Sequence, residues 1–261
     1  MAEPYVTDIL KQGFRISVEL VPTMVDHEGY PSLSEVMTVL QRTVNPSFIS
    51  VTQGAGGASR EKSAPLLKAL EPYKIPRCAH LICGYSSKEE VLRHAAEFFA
   101  LGIRNFLVLK GDKPAHATAE RDYLYASDCI RDLRARYGRE ICIGAGAYPD
   151  APDFDRVTVL EQKVAAGADF AITQMCFNAD TYARLAREFS IPILPGTCFI
   201  PTEERATQFA ARFKAQIPWP TPTPHGLFDA FKKAGAPGTH LFVLNDVTQL
   251  NPDHGSEQPD A

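Results

Sequence analysis

Eight short apolar runs recur along the chain, each closing on a polar or ionisable residue, with stretches of helical pattern between them. The first four are FRISVEL to Glu19, FISVTQ to Thr52 and Gln53, CAHLIC around His80, and FLVLKGD to Lys110 and Asp112. The others are ICIGAGAY to Tyr148, FAITQ to Gln174, IPILPG to Gly196, and HLFVLND to Asn245 and Asp246. Such alternation predicts parallel strands joined by helical crossovers. Eight units predict an α/β fold of one kind, a closed (β/α)8 TIM barrel, whose strands all deliver their carboxyl ends to one face. Residues as distant as Glu19 and Asn245 are then expected around one pocket.

The 261 residues suit one barrel domain, since that fold commonly takes about 250. Residues 1–250 are read as the barrel and 251–261, a polar and turn-rich stretch, as a frayed tail. A net charge of −4 gives no reason to expect nucleic acid or an anionic membrane as partner. No apolar stretch is long enough to span a bilayer, and MAEPYVTDILKQG lacks the basic-then-apolar order of a secretory signal. A cytoplasmic protein is expected, with the oligomeric state open. The six cysteines form no CxxC pair and read as thiols. Cys83, Cys176 and Cys198 fall near strand ends, where three thiolates would suit zinc. Burial as small hydrophobes is the competing and preferred reading, so no metal site is expected.

The crossovers carry helix signals. Ser87 and Glu90 form a capping-box pattern ahead of VLRHAAEFFALG, with Gly102 as its stop. In VLEQKVAAGAD the period places Val157, Val159, Leu160 and Val164 on one face, ending at Gly167. Thr202 opens TEERATQFAARF with acidic residues in its first turn. The segment IPWPTPTPHG holds four prolines and is expected to be extended, leaving GLFDAFKKAG as a short helix before the last strand. The final helical layer is therefore expected to be reduced.

Several strand ends carry chemistry. Glu19 lies between Val18 and Leu20, and a carboxyl walled by apolar groups at a barrel mouth keeps its proton to higher pH, as a general acid needs. A structural ion pair is the alternative. The glycine-rich turn in SVTQGAGGASREKS offers backbone N–H groups to an anion but matches neither a P-loop nor GxGxxG. In Lys110-Gly111-Asp112, Gly111 permits close approach and Asp112 can stabilise a developing cation. Lys110 also admits a Schiff-base aldolase reading. Gln174 offers a donor and an acceptor to a heterocycle edge, and Tyr148 an aromatic face.

Taken in order, SVELVP, FISVTQGAGGASREKS, HLIC, GIRNFLVLKGDKP, YASD, AYPD, KVAAGADFAITQMCF, ILPG and LFVLN resemble the methylenetetrahydrofolate reductase family. The family pattern has TYGAGG, HLTC, LRGD, AAYPE, AITQ, PGI and FYTLN at the matching places. The resemblance implies a barrel that reduces 5,10-methylenetetrahydrofolate to 5-methyltetrahydrofolate, with FAD carrying hydride from NADH or NADPH. It implies Glu19 as the acid that helps open the folate ring to an iminium, and Asp112 as the carboxylate that stabilises this cation. It implies Gln174 as a pterin contact. Thr52, His80, Lys110, Gly111, Asp112, Tyr125, Ala126, Tyr148 and Lys163 occupy positions associated with flavin binding.

Departures cluster on the ribose and pyrophosphate side of that flavin position. Lys110 replaces an arginine, Ala151 and Pro152 stand where the family has a histidine, and an acidic residue usual before the KVAAGA stretch is either replaced by Arg156 or displaced to Asp155. Glu203 stands near a missing aromatic. Asp246 replaces the arginine that would pair with the folate glutamate, leaving Arg60 or Arg205 as substitutes. Direct hydride transfer from a reduced nicotinamide stays open, as do oxidation of 5-methyltetrahydrofolate by the same site and a folate-binding barrel without turnover.

Overall fold

The chain closes into an eight-stranded parallel barrel in the computed structural model, which describes residues 3–25, 29–54, 60–111, 122–151 and 153–243. The strands are β1 (Arg15–Leu20), β2 (Phe48–Val51), β3 (Arg77–Ile82), β4 (Asn105–Leu109), β5 (Cys142–Ala147), β6 (Phe170–Met175), β7 (Ile193–Cys198) and β8 (Gly238–Phe242). Each pairs with its sequence neighbour, and β8 closes on β1. All eight predicted runs form strands. The described polar residues that end them therefore gather at one mouth, as the sequence predicts.

Strand alternation sends one set of side chains to the barrel axis and the other to the helices. Phe48, Cys78, Leu107, Cys142, Phe170, Ile172 and Leu194 form the interior cluster, and the alternate residues Val18, Ile49, Leu81, Val108 and Ala145 join the helix-facing core. Burying each large aliphatic or aromatic of these clusters is worth roughly 1.5–3 kcal/mol. A short helix, α1 (Val6–Leu10), plugs the end opposite the mouth: Val6, Ile9 and Leu10 belong to the interior cluster. Asn105 fixes the plug, accepting from Val6 N at 2.8 Å and donating to Pro4 O and Arg77 O. The barrel is thus packed at one end and polar at the other.

The crossovers are α2 (Leu33–Thr43), α3 (Ser63–Ala69), α4 (Lys88–Ala100), α5 (Ala126–Tyr137), α6 (Asp153–Ala165), α7 (Ala179–Ala186), α8 (Glu203–Phe213) and α9 (Pro224–Lys233). Ser87 accepts from Glu90 N to open α4, and Gly102 follows its end at positive φ. Thr202 caps α8. Two readings need correction. Val159 is 36% exposed, whereas Leu160 and Val164 pack on the core as expected, and Lys163 joins them on the inward face of α6. The apolar stripe is narrower than the valines suggest, and a lysine stem completes it. In addition, α9 starts at Pro224, inside the proline-rich segment, because Thr223 caps it and proline fits the first helical position.

The β7–β8 crossover accordingly holds two full helices. Asn245, Asp246, the tail 251–261 and any helix after β8 lie outside the described residues. Among the described residues no helix is long and apolar enough to cross a membrane.

Candidate functional site

Glu19 is the penultimate residue of β1 and faces the barrel axis, level with Ser50 of β2 and Phe242 of β8. Its side chain is 15% exposed, and burial pushes its carboxyl up to about 8. Two imidazoles flank it. His80 Nε2 of β3 lies 3.6 Å from Glu19 Oε2, and His240 Nε2 of β8 lies 4.0 Å away. Burial pushes both rings down to about 3, with His80 adding to the depression of His240, so both are neutral at neutral pH. These are not ion pairs. The carboxyl keeps its proton because solvation of the anion is lost and no cation replaces it.

Beside this centre, at the ends of β2 and β3, Thr52 Oγ1, Gln53 Nε2 and His80 Nε2 are buried and find no hydrogen-bond partner among the described residues. Gln53 is oriented by its other atom, since Oε1 accepts from Ile82 N at 2.8 Å. Unmet buried polar atoms are rare and point to a group that completes them. Arg60 is already engaged: it donates to Ile82 O at 3.2 Å, Gly84 O at 2.7 Å and Ser86 Oγ at 2.5 Å. It clamps the loop after β3. Arg205 provides its backbone N–H to Thr202 in the first turn of α8.

The next strands supply the rim. Gly111 follows β4 at φ +78°, and a Cβ there would meet Ile82 Cγ2 at 2.4 Å, so the backbone packs where no side chain fits. Lys110 Nζ lies 5.9 Å from the centre of the Tyr125 ring, which is 59% exposed ahead of α5, while Ala126 is buried. Tyr148, after β5, is 46% exposed, with Lys163 Nζ 5.3 Å from its ring centre. Lys163 reaches there from α6 and donates to Gly146 O at 2.6 Å; burial pushes its ammonium down to about 8. Gln174 is the penultimate residue of β6, half-buried, with Oε1 accepting from Met175 N at 2.9 Å. Glu19 and Gln174 therefore share one end of the barrel. Asp112 lies outside the described residues.

Sequence reasoning missed His240 and gave Gln53 no role. The signal for His240 was available: alternation from Phe242 puts it on the axis, as it does Glu19 on β1. Among the described residues the cysteine trio does not form a group that could share a metal. Cys83 and Cys176 directly follow β3 and β6, Cys198 ends β7, and all three are buried in the helix-facing core. Among the described residues, the His, Cys, Asp and Glu groups close enough to share a cation are Glu61, His94 and Glu97. Arg93 already sits there, 3.2 Å from Glu61 Oε1 and 3.3 Å from His94 Nε2.

The unmet polar atoms of Thr52, Gln53 and His80 fit the polar ring end of a flavin or of a reduced nicotinamide. The two exposed tyrosines, each with a lysine over its ring, fit the remainder of a dinucleotide.

Solved structures share the fold. That of 2,3-dimethylmalate lyase, a PEP mutase/isocitrate lyase superfamily member, superposes with a TM-score of 0.59 at 13% identity, over 97% of this chain and 85% of that one. A putative phosphonomutase from Burkholderia cenocepacia gives 0.55 at 14% identity, over 88% and 86%. At such identities the likeness concerns the barrel alone. Sequence is more specific. Methylenetetrahydrofolate reductase 1 of Schizosaccharomyces pombe is 36% identical over 201 residues, 71% of this chain and 33% of that protein. Methylenetetrahydrofolate reductase 2 of the same yeast is 35% identical over 195 residues, 64% and 30%. The chain thus spans about a third of the length of these relatives. The 5,10-methylenetetrahydrofolate reductase of Escherichia coli is 27% identical over 203 residues, 72% of this chain and 68% of that one. The family model described as methylenetetrahydrofolate reductase matches residues 6–222, and the chain belongs to that family.

Proposed function

We propose that the barrel mouth interconverts 5,10-methylenetetrahydrofolate and 5-methyltetrahydrofolate by hydride transfer. The observation that carries this is Glu19: a carboxyl pushed up to about 8 at the strand-end mouth, with neutral imidazoles beside it. A general acid near neutral pH needs that state. In the reductive direction Glu19 gives its proton to the nitrogen that leaves the methylene carbon, so the five-membered ring opens to an iminium. The half-buried Gln174 amide binds the pterin edge, and Asp112 supplies the negative charge that stabilises the cation. The packed barrel beneath Glu19 excludes water from one side of the centre.

FAD, the carrier usual in the family, accepts and donates hydride when bound. Thr52, His80, Lys110, Gly111, Tyr125, Ala126, Tyr148 and Lys163 would hold it. The replacements at Lys110, Ala151 and Arg156 favour a second reading, in which NADH or NADPH occupies the same ring position and gives hydride directly. The absorbance of the purified protein separates the two. A flavin-type spectrum supports the first; turnover by colourless protein supports the second.

The reaction itself is tested by incubating the protein with 5,10-methylenetetrahydrofolate and NADH or NADPH, with and without added FAD. Formation of 5-methyltetrahydrofolate, followed by chromatography, is the expected result. Product in none of the four mixtures contradicts the proposal.

A further inference from the structure

His240 has no part in the chemistry proposed for Glu19, yet it is fully buried on the barrel axis among the groups that surround that carboxyl. Its Nδ1 lies 2.7 Å from Ser17 Oγ, and Ser17 Oγ also lies 3.3 Å from Thr239 O. Its Nε2 lies 3.4 Å from Ser50 Oγ and 4.0 Å from Glu19 Oε2. One assignment of protons satisfies every contact. Ser17 donates its hydroxyl hydrogen to Thr239 O and accepts from Nδ1–H, which leaves Nε2 as a bare lone pair toward Ser50 and Glu19. The opposite tautomer leaves the Ser17–Thr239 contact unmade and points an N–H at the carboxyl.

The ring is also held in place. Phe48 stacks at 6.4 Å between centroids, and Phe242 meets it edge-on at 5.1 Å. Among the described residues, the titratable groups facing this centre are Glu19 from β1 and His80 from β3. β2 contributes Phe48 and Ser50, and β7 sets Gly196 level with the ring.

We propose that His240 is a positioning residue for Glu19: Ser17 fixes it as the Nδ1–H tautomer, and its Nε2 lone pair favours the protonated carboxyl. A lone pair that the neutral acid can approach, directly or through one water, supports that form over the anion. The inference rests on Glu19 as the acid of the proposed reaction, but its first readout does not need turnover.

The test compares two substitutions that divide the functions of the ring. His240→Asn can keep the donor to Ser17 and loses the acceptor at the Nε2 position; His240→Gln places an amide at that position. The titration of the Glu19 side-chain carboxyl is followed by carbon-13 NMR in the wild type and both variants. His240→Asn is expected to lower the carboxyl pKa by about one unit, and His240→Gln to restore at least half of it. In the reductive assay Glu19 must carry its proton, so activity falls as pH rises through its pKa. The descending limb of kcat should therefore move to lower pH in His240→Asn, with KM for the folate within about twofold. An unchanged carboxyl titration in folded His240→Asn overturns the inference, as does nitrogen-15 NMR of the wild type showing the proton on Nε2. Absence of turnover in the wild type, with the titration shifting as described, overturns the folate reading and leaves the His240–Glu19 coupling standing.

Discussion

At the scale of the residue, Glu19 is held in its neutral form by what surrounds it. Its unfolded carboxyl ionises near 4.5 and its folded one near 8. Between these values only the unfolded chain gives up the proton, so stability declines as pH rises through that window and levels off above it. Glu19→Gln cannot ionise and escapes the loss. Thermal melts of the two proteins should therefore diverge from pH 5 to pH 8, with the variant more stable at pH 8 by on the order of 2–4 kcal/mol. A constant difference across that range contradicts the assigned burial. Its flanking Val18 and Leu20 face the helices, and it is the groups on the barrel axis that take its solvation away. Glu19 was legible as a carboxylate at the end of an apolar strand, a placement that marks it for chemistry. His240 was not, because a histidine opening an apolar run reads as a strand start. Only pairing register sets it beside Ser17 and Glu19. Lys163 was legible through family resemblance alone; by periodicity its place on the inward face of α6 belonged to Val159.

At the scale of the element, the plug α1 and the interior glycines decide whether the mouth keeps its shape. Asn105 serves Val6 N, Pro4 O and Arg77 O at once. Asn105→Ala leaves three backbone groups without that partner, and denaturant unfolding should show a loss of about 2–4 kcal/mol. Gly144 lies opposite Phe170, and an added Cβ would sit 2.4 Å from the ring. Gly144→Ala should cost about 1–3 kcal/mol in the same experiment, since a buried ring must shift. A neutral result at either site would mean that the barrel interior has room to adjust. Strands were the most legible elements, each an apolar run with a polar stop. Helix limits were less so: Pro224 reads as a breaker until Thr223 is recognised as its cap.

At the scale of the whole molecule, neutral imidazoles in the barrel set the acid limit. His80 and His240 titrate near 3 when folded and near 6.5 when free. The unfolded chain takes up protons first as pH falls below 6.5, so stability drops from there toward pH 3. His240→Gln should flatten that decline in chemical unfolding at pH 4 to 6, and an unchanged slope would place the proton uptake elsewhere. The closed barrel explains why residues from position 19 to position 240 form one centre. That topology was legible from eight repeated units, whereas the loop carrying Asp112 and the segment after β8 lie outside the described residues.

The central claim is that Glu19 is the acid of folate reduction at this mouth. It is tested most directly by measuring 5-methyltetrahydrofolate formation by Glu19→Gln beside the wild type, with folate affinity measured in parallel by calorimetry. The predicted result is a fall in kcat of about 10²–10⁴-fold, with the folate dissociation constant within a few-fold of wild type. Turnover equal to the wild type by a folded Glu19→Gln protein would contradict it.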